Sequence, residues 1–239
     1  MYTLYIYLYT LSTLNIYTVN MTIKKKSSLK MKKNMKEENS YHHGDLRNLV
    51  LRLAEKTLEE QGVHHLSIRD IATAIGVSHT APYRHFPRKI DLLFALTTQG
   101  FLDLRDTLYD AWKVSEDSFA KLEQAGENYI RLMWEHPRRT ELMFGGEVYL
   151  ESSVPEELQL AGKEAYLALF HIVEYGQKRG DFTNEIDCES LAMFVWSSVH
   201  GFAVLNERYY KMAKSDEEKE KLDHQKRILL QQTLKGIKN

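Results

Sequence analysis

Apolar positions recur with helical spacing from Asp45 to the C-terminus. Leu46, Leu49, Val50, Leu53 and Ala54 fall at i, i+3, i+4, i+7 and i+8, the apolar face of an amphipathic helix that Gly62 is placed to close. Ser67-Ile68-Arg69-Asp70 has the form of a capping box: the Ser67 hydroxyl accepts from the Asp70 amide and the carboxylate reaches back. Ile68, Ile71, Ala72 and Ile75 then give a short second helix its inner face, and Gly76 breaks it. Ser78 is placed to cap a third helix that Pro87 ends.

Longer stripes follow. They run through Phe101, Leu104, Leu108 and Trp112, then Phe119, Leu122, Gly126, Tyr129, Ile130 and Met133. Others run from Leu158 to Gly176, from Cys188 to Ala203 and from Leu222 to Ile237. Gly145 to Pro155 and Gly180 to Asp187 read as loops, and Lys214 to Lys221 as a charged connector that starts the last helix. No period-2 pattern competes after Asp45, so the expected fold class is all-α. Three short N-terminal helices followed by a bundle of longer helices are expected.

Composition narrows this picture. With 12 Gly and 4 Pro in 239 residues, the turn residues that an all-β chain needs are scarce. A single cysteine, Cys188, excludes an intrachain disulfide framework and fits a reducing, cytoplasmic setting. The formal net charge of −1 means that any nucleic-acid binding comes from a local patch. The uncharged first 20 residues lack the basic flank of a signal peptide, and their Thr, Ser and Asn dilute a membrane span. They could add a strand, or lie upstream of the true start. Residues 1–40 are expected to be disordered or such an extension, and no membrane partner is expected. The run KKKSSLKMKKNMK at 24–36 is a solvated tail or a basic arm beside a DNA-binding head.

The stretch IGVSHTAPYRHF, residues 75–86, carries the chemistry. Two short helices joined by a tight Gly turn, one face apolar and the other polar, make a helix-turn-helix whose second element enters the major groove. Ile71, Ala72, Ile75, Val77 and Phe86 would hold the angle, with Ala72 small enough to allow close approach. His79, Thr80, Tyr83, Arg84 and His85 are left outside, where such groups meet bases and phosphates. Amides near Ser78 and Thr80 would suit a phosphate. Pro82 breaks the helical pattern. A proline inside a helix costs about 3 kcal/mol and disfavours helical angles at the preceding Ala81. The reading helix therefore either begins near Pro82 or has a distorted first turn.

SIRDIATAIGVSHTAPYRHFPRKIDLL, residues 67–93, resembles the DNA-binding core of TetR-family transcriptional regulators, and YHHGDLR at 41–47 resembles the leader of one subgroup. The likeness covers about residues 41–100. It implies that Tyr83 contacts phosphate and that Lys89 docks the next helix on the DNA backbone. The DNA-binding set is thus Ser67, Arg69, Ser78, His79, Thr80, Tyr83, Arg84, His85 and Lys89. The resemblance divides the chain into a head at 45–105 and a ligand-binding and dimerisation body at 106–239. Trp196-Ser-Ser-Val-His200-Gly201 resembles the Trp-His-Gly signature of a C-terminal subgroup. Trp196 and His200, at i and i+4, equally fit a shared core or interface face.

Trp112, Trp134, Phe144, Tyr166, Phe170, Trp196 and His200 are the candidate ligand-binding residues, as large aromatics suit an amphipathic organic effector, although aromatics at helical spacing also make ordinary core. The last two helices, 188–203 and 222–237, are candidates for a four-helix interface in a homodimer. Two heads about 34–36 Å apart would read a palindromic operator in double-stranded DNA. An unknown small-molecule effector would release such a repressor, with helix 88–113 as lever. Control by a protein partner without a small molecule is the alternative. An enzyme is not expected: no P-loop, dinucleotide turn or H-E-x-x-H occurs, and nothing places His171 or His200 as a base. No cofactor is expected. The pairs His42-His43 and His64-His65 lack partners at ligand spacing, so no metal is expected either.

Overall fold

The computed structural model describes residues 41–239 other than Gly146 and Ser152, so the expectations for residues 1–40 lie outside the described residues. The helices are α1 (Tyr41–Gln61), α2 (Ile68–Ile75), α3 (Lys89–Trp112), α4 (Ser118–Glu135), α5 (Pro137–Phe144), α6 (Glu156–Arg179), α7 (Cys188–Met212) and α8 (Asp216–Ile237). Single 3-10 turns occupy Val63–His65, Pro82–Arg84 and Glu147–Leu150. Among the described residues the only β-type pairing noted is an isolated bridge between Phe182 and Lys238, and the fold is all-α. Two compact units divide within α3. One holds the chain up to Leu96 with Phe144–Val154, and the other holds Thr97–Met143 with Pro155–Asn239.

In the first unit, α1 packs on α2 and on the turn Pro82–Arg84. Val50, Ala54 and Leu58 from α1 are buried, as are Ile68, Ile71 and Ala72 from α2 and Phe86 after the turn. Ile75 and Val77, expected on the inner face, are only half-buried. The Ser67 hydroxyl accepts from the Asp70 amide at 3.3 Å, which is the Ser half of the expected box.

Gly76 ends α2 in the left-handed region, at φ 81° and ψ 28°. Its amide bonds to the Thr73 carbonyl at 3.1 Å, and the Val77 amide bonds to that of Ala72 at 3.1 Å, the paired bonds of a Schellman cap. A Cβ here would meet nothing within 4 Å, so only the backbone angle resists substitution. Gly76→Ala is expected to cost about 1–2 kcal/mol in urea unfolding. Gly76→Asn should cost clearly less, because Asn tolerates this region.

The second unit is built around α4, which packs on α6, α7 and α8, while α7 also packs on α6 and α8. The apolar stripe from Phe119 to Met133 stops short of α5, which no stripe in the sequence marks. Pro137 cannot continue α4 and pushes His136 to φ −127° and ψ 58°, and it then suits the first turn of a new helix. Two buried cations brace this unit. Arg139, 3% exposed, pairs with Asp103 at 2.9 Å. The ammonium of Lys121, 2% exposed, donates to the carbonyl of Trp112, the last residue of α3, and lies over its ring, where the helix end is electronegative.

Candidate functional site

The reading element departs from the third helix expected between Ser78 and Pro87. Residues 78–81 form turns, and Pro82 opens a single 3-10 turn that closes at Arg84. The physical reason is Pro82 itself, which has no N–H to donate backwards. The Ala81 amide bonds to the Ser78 carbonyl at 3.0 Å, and the Pro82 carbonyl takes both the His85 and Phe86 amides at 2.9 Å. Ser78 is correspondingly no helix cap: its hydroxyl lies 3.3 Å from that of Thr80. Ala81, expected outside helical angles, sits at φ −62° and ψ −47°, so the pre-proline restriction is overridden by the turn.

Pro82 and Phe86 are buried on the inner side of this turn. His79, Thr80, Tyr83 and Arg84 are exposed on the outer side, with Tyr83 at 44%. These four candidates are therefore brought together on one short loop. Arg69 is exposed in the first turn of α2, and Ser67 is half-buried with its hydroxyl engaged in the cap. His85 is half-buried, with Nε2 turned inward. Lys89 is committed elsewhere: its ammonium donates to the Val63 carbonyl at 2.6 Å, tying the start of α3 to the turn after α1. Two of its three N–H donors stay available for a phosphate.

The aromatic candidates in the second unit fall into separate groups, and Phe144 belongs to the first unit. Trp134 is 6% exposed, donates to the Ala203 carbonyl at 2.9 Å and stacks on Tyr210 at 4.7 Å. Trp196 and His200 share a partner absent from the candidate set, Tyr129. The Trp196 indole donates to the Tyr129 hydroxyl at 3.1 Å, and that hydroxyl lies 2.8 Å from His200 Nδ1. An indole can only donate, so the phenol accepts from it, and the tautomer of His200 sets the direction of the second bond. Burial raises the Tyr129 phenol and lowers the His200 imidazole, so the trio is neutral at pH 7. Tyr129 shows in the sequence only as one member of an apolar stripe; its hydroxyl gives no periodic signal.

Tyr166 and Phe170 neighbour each other on α6, with ring centroids 6.3 Å apart. The Tyr166 hydroxyl is buried and has no hydrogen-bond partner among the described residues. Burial, then the nearby Glu189, Cys188 and Asp187, hold that phenol protonated. Cys188 points its thiol at the Phe170 carbonyl at 3.8 Å, and burial with neighbouring carboxylates pushes the thiol up to about 12. Cys188 is expected to resist a thiol-specific disulfide reagent at pH 8 in the folded protein and to react on addition of denaturant.

Trp112 sits apart from these groups. It meets Tyr175 edge-on at 5.1 Å and lines an open cleft of about 360 Å³ with Tyr109, His171, Glu174, Tyr175 and Lys178. None of the other aromatic candidates lines that cleft.

Residues 50–96 match the model for bacterial regulatory proteins of the tetR family, and residues 122–221 match that for the tetracyclin repressor-like C-terminal domain. Among curated proteins, the HTH-type transcriptional activator FasR of Mycolicibacterium smegmatis is 23% identical over 127 residues. That match covers 53% of this chain and 58% of FasR. A solved structure of a protein with unknown function from Rhodococcus sp. RHA1 has a TM-score of 0.72 and 28% identity, covering 84% of this chain and all of that one. The fatty acid degradation regulator FadR from Bacillus halodurans has a TM-score of 0.61 and 18% identity, covering 80% and 99% of the two chains. The two family models together account for more than half of the chain. The chain belongs to the TetR family of transcriptional regulators, proteins that bind DNA.

Proposed function

We propose that the protein is a homodimeric cytoplasmic repressor that covers a palindromic operator and leaves it when a small molecule binds the helical body. The observation that carries this reading is the outward cluster His79, Thr80, Tyr83 and Arg84 on a turn whose inner side is anchored by Pro82 and Phe86. Such a turn can meet base edges through Arg84 and Thr80 and phosphates through Tyr83 and the Lys89 ammonium. The head corresponds to residues 45–105 and the body to 106–239. α3 runs continuously from Lys89 to Trp112 and supplies the lever between them. Residues Trp196, His200 and Gly201 lie within the matched C-terminal region and support placing the chain in a Trp-His-Gly subgroup.

The dimer rests on α7. Phe194, Leu205, Tyr209 and Met212 are exposed and follow helical spacing along one side of it, with Val204 beside them, and Ile228 is exposed on α8. By length and composition α7 would also suit a membrane span. Its packing against α4, α6 and α8 favours a partner subunit instead.

The effector site is assigned to Tyr166 and Phe170 on α6, with Tyr166 as donor. A buried hydroxyl without a partner costs about 1–3 kcal/mol, which a ligand acceptor would recover. The surrounding carboxylates and thiol favour a neutral acceptor over an anion. FasR is named an activator, so the sign of regulation is tested directly. Gel-shift titration with organic extracts of host cells should show loss of the retarded duplex. A duplex retarded more strongly by extract would reverse the sign, and release only by a protein fraction would replace the small molecule with a protein partner. Tyr166→Phe should leave stability unchanged or higher and weaken the response about tenfold.

A further inference from the structure

Building on the duplex-binding reading, we propose that Arg47 is an additional contact to the phosphate backbone, presented beside the reading turn by the ring of Phe86. Arg47 lies in the second turn of α1, the helix that packs against the turn Pro82–Arg84. Its guanidinium carbon sits 5.6 Å from the centroid of the Phe86 ring. Phe86 is 2% exposed and follows the reading turn directly, so the ring is a fixed platform. The Arg47 side chain itself faces solvent.

A guanidinium held over an aromatic ring is attracted by the ring's electron-rich face without using up its N–H donors. Those of Arg47 have no hydrogen-bond or ion-pair partner among the described residues. Two nearby cations on the C-terminal side of Phe86 differ. Arg88 is held by Asp91 at 2.7 Å and 3.3 Å, and Lys89 by the Val63 carbonyl. A surface arginine without a partner is commonplace, but one pre-ordered over a buried ring is not. Its rotamer entropy is already reduced before any ligand arrives, and the planar fork it offers matches phosphate oxygens. It stands next to the turn whose polar residues face the duplex. Arg47 thus adds affinity without reading sequence.

The test is the salt dependence of binding to a mixed-sequence duplex, followed by fluorescence anisotropy with the full chain. Arg47→Gln should reduce the magnitude of the slope of log K against log salt by about 0.9 for each head bound. Affinity should fall by the same factor on the operator and on unrelated duplex. Arg47→Lys should restore most of the slope. An unchanged slope for Arg47→Gln, or a loss confined to thermal stability, overturns the proposal, as does failure of Arg47→Lys to recover it. If the unaltered chain does not bind duplex at all, the duplex-binding reading itself has failed, a result distinct from these.

Discussion

Arg84→Ala is expected to weaken operator binding by about 1–3 kcal/mol for each reading turn engaged, and to relax the preference for one base position. Arg84 is exposed on the 3-10 turn, and its guanidinium has no salt bridge among the described residues. Because the side chain is exposed, its loss is expected to act on the complex more than on folding. In a homodimer both turns carry the change and the effect is doubled. Tyr83→Phe, by contrast, should lower affinity for all sequences alike, because a phenol donating to phosphate carries no base information. Equilibrium binding on the selected operator and on single-base variants separates the two. An Arg84→Ala protein with an undiminished preference at every position would remove this residue from the base-reading set.

Gly176→Ala is expected to destabilise the second unit by about 3 kcal/mol. An alanine Cβ at 176 would lie 2.1 Å from Cδ2 of Phe182. That ring cannot yield, because Phe182 is fully buried and packs edge-on against Phe119 at 5.1 Å. The backbone is equally committed. The Gly176 carbonyl accepts the amides of Asp181 and Phe182, and the chain then bridges from Phe182 to Lys238 at the C-terminus. Urea unfolding should show a lower midpoint. A midpoint within experimental error of the unaltered protein would mean that this corner of α6 relaxes freely.

The helices were legible wherever burial follows the 3.6-residue period. Val50, Ala54, Ile71, Ala72, Leu104, Leu108, Ile130 and Val199 lie buried where their stripes placed them. Three features escaped for different reasons. α5 follows a proline and buries only Arg139, Leu142 and Met143, too short a run for a period to show. Pro82 was recognisable as a disturbance, but its ring serves as a buried anchor, and only the packed structure tells that from a defect. Tyr129 joins Trp196 and His200 across 67 and 71 residues of sequence, a separation no local pattern encodes. Lys89 shows the same limit, since a lysine in sequence does not reveal that a carbonyl 26 residues earlier takes one of its protons.

The proposed operator binding requires the turn around Pro82 to meet double-stranded DNA. Selection of bound duplexes from a random pool by the full chain, at moderate salt, tests it most directly. Enrichment of one inverted repeat with half-sites a helical turn apart, abolished or broadened by Arg84→Ala, is the expected result. A pool that remains random after repeated rounds, with the folded protein retained throughout, would contradict it.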